Sequence, residues 1–221
     1  GVTATPRHDS YAAFVLAAVG TDIFDGLLAS DLWAARETAA SQRLTDMGVD
    51  PLAAGLLVAT IGLAVTVVAV TAAYRLVCRV SELVGGWGDL GHRRGTAAAF
   101  VHALVPIVLA YAVAHYFPLF VFQAQDVVRL ASDPLGRGAD LFGTADRPID
   151  FQVVSANAIW TVQVGAIVIG HVLGLVLAHD RALELSGWPR RALRSQVAVL
   201  ALMVALTVGG LWSLSAGMAT I

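Results

Sequence analysis

The chain has 221 residues, 57% of them hydrophobic and only 14% charged, with a formal net charge of -2. A soluble domain carries about 25% charged residues. This composition therefore excludes an ordinary soluble enzyme, a disordered tail and a coiled coil, and the charge leaves no basic footprint for nucleic acid. The single Cys78 excludes an internal disulfide and any CxxC motif for zinc or haem attachment. All 14 basic residues are Arg, the pattern of a high-GC bacterial genome. The chain opens on Gly1 rather than Met and shows no secretory signal pattern, so its start is expected to be a processed end or the cut edge of a longer protein.

A membrane-spanning helix needs about 20 mostly apolar residues, and five segments qualify. The first, near 11–29, is uncharged to Thr21 and then carries Asp22 and Asp25. The second, near 52–75, follows Pro51 and has no charge as far as Tyr74. A third lies near 97–124, within the uncharged run Gly95 to Gln125. The fourth, near 157–179, and the fifth, near 196–216, occupy the uncharged runs Phe151 to His179 and Ser195 to Ile221. The expected fold is all-α: a polytopic integral membrane bundle of about five helices in one transmembrane domain, in contact with a lipid bilayer.

The connections set the expected orientation. Arg7, Arg75, Arg79, Arg93, Arg94, Arg181, Arg190, Arg191 and Arg194 fall on one side, against Arg36, Arg43, Arg129, Arg137 and Arg147 on the other. The positive-inside rule then places the N-terminus in the cytoplasm and the C-terminus outside, in a bacterial inner membrane. The longest connection, roughly 126–150, is rich in turn formers and reads as a solvated outer loop, with a lid or docking surface as the functional alternative.

Ionisable groups within the spans carry the functional argument, because they are costly in lipid and face a bundle interior. Asp22 and Asp25 are three residues apart and share a helix face. His102 and His115 lie about 20 Å apart along the third span and cannot serve one ion. Tyr111 stands one turn before His115, and Pro106 breaks the backbone ladder after His102. The fourth span carries Gln163, His171 and His179 beside a small-residue stripe, Ala166, Gly170, Gly174 and Ala178, that favours close helix contact, so the third and fourth spans are expected to meet along it. By depth, Asp22, Asp25, Tyr111, His115 and Gln163 form an outer group, and His102, His171 and His179 an inner one.

Imidazole and carboxylate are ligands for zinc, copper or iron, which makes Asp22, Asp25, His102, His115 and His171 candidate ligands of divalent zinc or copper, His102 and His115 not of the same ion, with Tyr111 as a catalytic assistant. Bound metal would generate a hydroxide nucleophile. The histidine pairs are about 140° and about 80° apart around their helices, which argues against haem. No P-loop or tight HExxH motif is present.

Several stretches resemble a family of bacterial polytopic membrane proteins labelled fenitrothion hydrolase: Pro6-Arg7-His8-Asp9-Ser10-Tyr11-Ala12, Phe24-Asp25-Gly26-Leu27, His102 through Ile107, Ala114-His115-Tyr116, Ser132-Asp133-Pro134, Leu141 through Ala145, and Gly170-His171-Val172 with Ala178 through Leu183. The resemblance covers nearly the whole chain. It implies a membrane-embedded hydrolase of ester or organophosphate-like small molecules, and helices preceding those present here. The other expectation is a non-enzymatic transporter or a structural subunit of a membrane complex. On the resemblance the chain is the C-terminal half of a longer protein, and Gly209, Gly210, Ser213, Ser215 and Gly217 favour packing of the fifth span against the missing helices or another subunit, with the first span as the alternative contact.

Overall fold

Nearly every residue described lies in or between helices. The computed structural model describes residues 9–85, 99–186 and 189–218, and no strand occurs among them. Chain order gives α1 (Asp9–Leu28), α2 (Asp31–Asp46) and α3 (Pro51–Gly85). A 3-10 turn, Val101–Leu104, then leads into α4 (Val105–Gln123), followed by the short α5 (Asp126–Ser132), α6 (Ala156–Ser186) and α7 (Pro189–Met218).

Four segments are long and apolar enough to cross a membrane: Ser10–Leu28, Pro51–Val84, Val101–Gln123 and Ala156–Glu184. The fifth apolar stretch is Gln196–Gly209, within the 30-residue α7. The protein is thus an all-helical membrane bundle, and each of these segments overlaps one expected span. Arg7, Arg93 and Arg94 lie outside the described residues, as do the side chains of Gly210, Ser213, Ser215 and Gly217.

α4 and α6 form the centre, and glycine decides how closely they meet. A Cβ on Gly174 would stand 2.6 Å from the Ala103 carbonyl oxygen, and one on Gly170 would stand 2.8 Å from that of Pro106. Only hydrogen fits at such a crossing, so the small-residue stripe lets the two backbones touch. Gln163 joins the same helices by donating from Nε2 to the Ala114 carbonyl at 3.0 Å. Pro106 sits in the first turn of α4, where its missing N–H leaves no bond unmade, and the chain enters through the 3-10 turn. Val15, Leu16 and Val19 of α1, Tyr74 and Cys78 of α3, and Val199 and Met203 of α7 complete the buried core around this pair.

α3 lies at the edge. Its 35 residues extend about 52 Å at 1.5 Å per residue, well beyond a hydrocarbon core of about 30 Å. Leu52, Leu56, Ile61, Val65 and Val68 are exposed along it, as lipid-facing residues are.

Two connections hold more structure than their composition indicates. Residues 31–46 form α2, a polar helix with no buried residue of its own. Ser30 caps it by accepting from the Trp33 N–H, and Trp33 anchors it edge-on to Phe24 at 4.9 Å and over Gly62. Residues 126–150 begin with α5 and then fold around the fully buried Ser132. The Ser132 hydroxyl donates to Asp140 Oδ1 at 2.8 Å and accepts from the Phe142 and Thr144 N–H groups. Asp133 accepts from the Arg137 and Gly138 N–H groups, and these backbone bonds hold its carboxyl below the usual range. The Ala145 N–H and the Ser132 hydroxyl do the same for Asp140. Gln125 closes the base of the loop through paired bonds to the Asp150 backbone, at 2.9 and 3.0 Å.

Candidate functional site

A cavity of about 310 Å³ opens among α1, α4, α6 and α7. Val19, Ile23, Leu27, Ile107, Val108, Ile167 and Leu206 make its walls apolar, while Asp22, Tyr111 and His171 supply its polar groups. Each comes from a different helix. α1 carries Asp22 one turn after Val19, so both face inward together. α4 contributes Tyr111 one turn after Ile107. α6 presents His171 beside Gly170, at the point where glycine brings α6 against α4.

The hydrogen bonds decide what His171 offers. Its Nδ1 lies 2.8 Å from the Ile167 carbonyl oxygen. A carbonyl only accepts, so Nδ1 carries the proton and the neutral ring keeps a bare lone pair on Nε2. That Nε2 is buried and has no hydrogen-bond partner among the described residues, and the same holds for Asp22 Oδ2. Buried polar atoms are nearly always partnered. Asp22 and His171 both line this cavity.

Beside the cavity, His115 Nε2 donates to Asp25 Oδ2 at 2.9 Å, tying α4 to α1. Both are partly open, with side-chain exposures of 33% and 41%. The His115 ring stacks on Tyr111 at 5.9 Å and meets Tyr116 edge-on at 4.9 Å. Asp22, Asp25, Tyr111 and His115 therefore form one neighbourhood, as their expected depth implied.

The three histidines of the expected inner group sit apart from one another. His171 joins Asp22 and Tyr111 in the cavity instead of pairing with His102 and His179, because the Gly170 crossing carries it to the α4 side. His102 stands apart from the cavity, with its ring against Tyr11 at 5.1 Å. His179 is bound to Gln196 Oε1 at 2.8 Å and links α6 to α7. Gln163 serves the α4–α6 contact.

Among the described residues, no three His, Cys, Asp or Glu side chains converge as a metal site. The polar chemistry of the cavity described here is that of Asp22, His171 and the Tyr111 phenol.

Comparison with protein families, curated proteins and solved structures finds no match in any of the three. The site is therefore read from its own chemistry.

The apolar lining residues had no distinguishing signal in the sequence. Ile23, Leu27 and Leu206 are the residue types that face lipid elsewhere on the same helices. Gly209 of α7 is a lining residue of another kind: a Cβ there would meet nothing within 4 Å.

Proposed function

We propose that the protein is a membrane-embedded hydrolase of small lipophilic esters or phosphotriester-like molecules, with the α1–α4–α6–α7 cavity as its active site. The observation that carries this reading is the unpartnered Nε2 of His171, a residue that lines an apolar cavity together with Asp22, whose Oδ2 is also unpartnered among the described residues. A water molecule bound there donates one O–H to His171 and has Asp22 as its second acceptor. As the water oxygen attacks the acyl carbon or phosphorus, its proton passes to Nε2. The C–O or P–O bond to the leaving group then breaks, and the leaving oxygen takes that proton. Tyr111 is the catalytic donor to the oxygen on which charge develops. The apolar walls hold the organic groups and exclude bulk water.

The test is hydrolysis of p-nitrophenyl esters and a diethyl p-nitrophenyl phosphotriester by the purified protein in detergent. Release of p-nitrophenol that falls in Tyr111→Phe supports the reading. No turnover of either class refutes it. Metal analysis of the same preparation addresses the divalent ion, for which donors beyond those described here are required.

A second reading, transport, is favoured by the row of titratable groups running from Asp22 in the cavity to the partly open Asp25–His115 pair. Such a row carries protons without hydrolysis, and proton uptake by proteoliposomes without ester cleavage identifies it. In either reading the arginine distribution argues for an inner-membrane protein with a cytoplasmic N-terminus. The exposed apolar face of α3 also accommodates preceding helices or another subunit.

A further inference from the structure

The cavity wall carries two bare acceptors and no cation. Asp22 Oδ2 and His171 Nε2 are buried without partners among the described residues, no Arg stands among the lining residues, and the chain contains no Lys. An ionised carboxylate in apolar surroundings is strongly disfavoured unless it is paired. Among the described residues, Asp22 is therefore left to take a proton or the charge of a bound cation. Water supplies donors but no charge. A primary ammonium group supplies three N–H donors and the missing positive charge together. The remaining walls suit an apolar body, and about 310 Å³ is at the small end of ligand pockets, the size for a single ring rather than a fused system.

We propose that this cavity binds small lipophilic primary ammonium ions, with the ammonium head between Asp22 and His171 and the hydrocarbon body against the apolar walls. The site is the one assigned to hydrolysis above, and on that reading these amines displace the water and inhibit competitively. Binding itself does not depend on catalysis.

Calorimetric titration of the full chain in detergent, corrected with protein-free micelles, tests this with benzylamine against its neutral counterparts benzyl alcohol and toluene. Benzylamine is expected to bind at least tenfold more tightly than benzyl alcohol, and Asp22→Asn to remove that difference. Gly209→Phe projects a ring from an open Cβ position and is expected to abolish binding of all three compounds. The proposal is overturned if benzylamine fails to bind, if it binds no better than benzyl alcohol, or if its advantage persists in folded Asp22→Asn. The comparison of the three compounds on the native chain decides the matter even if a variant does not fold. A protein that binds benzylamine but cleaves no ester keeps this site and loses the hydrolytic reading, and ester cleavage without benzylamine binding does the reverse.

Discussion

The 126–150 loop and the cavity among the helices both contain carboxylates, and the two treat them in opposite ways. In the loop, Asp133 and Asp140 accept backbone N–H groups, and Ser132 binds three partners at its hydroxyl. Those side chains are spent on holding the loop in shape. In the cavity, Asp22 Oδ2 and His171 Nε2 receive nothing from the described residues. Leaving a polar atom unpaired in a low-dielectric interior costs stability, and the cavity retains two. On the proposed function, the contrast separates acidic residues that build structure from those placed to meet a ligand.

Four measurements break or sharpen that contrast. The largest expected effect is on turnover: His171→Gln lowers ester hydrolysis by about 10²–10⁴-fold, the range for loss of a general base. Ser132→Ala leaves turnover within about twofold, because the loop's bonds close on themselves. Equal losses in the two variants would erase the distinction.

Next is stability within the loop. Ser132→Ala removes the acceptor of the Phe142 and Thr144 N–H groups and is expected to cost about 1–3 kcal/mol locally. Faster hydrogen exchange confined to residues 132–145 is the readout, and unchanged exchange would show that the Ser132 bonds do not hold the loop.

In the cavity the sign reverses. Asp22→Leu removes an orphaned acceptor and is expected to raise stability by about 1 kcal/mol, seen as a higher Tm in detergent, while turnover falls. A lower Tm would mean that Asp22 has a structural partner.

The smallest effect is the pH response of the loop. Asp133 and Asp140 have folded pKa values below the ordinary 3.8. Their contribution is therefore complete above that value and is lost as pH falls through the depressed folded values. Proteolysis or exchange of residues 132–145 should be flat from neutral pH down to about 5 and should rise only below about 4. A transition near pH 6 would contradict this assignment of the loop's carboxylates.

The membrane class, the all-helical fold and the position of each span follow from the sequence alone, because twenty uncharged apolar residues have few other stable solutions. The Gly170 and Gly174 stripe similarly announced the close α4–α6 crossing, since small side chains along one face have a direct steric consequence. Helix α2 escaped that logic: its polar residues carry no apolar stripe, and its place depends on Trp33 reaching Phe24 and Gly62. In the candidate site, the sequence marked Asp22, Asp25, Tyr111, His115 and His171 as groups that do not belong in lipid. Which of them meet was settled by tertiary structure. His171 lines the cavity with Asp22 where glycine seats α6 against α4, and His102 lies outside it with its ring against Tyr11. The lone pair on Nε2 is fixed by one carbonyl, that of Ile167. Composition reports the cost of placing a group in the membrane, but partners are set by helix rotation and depth, which depend on packing between segments far apart in the chain.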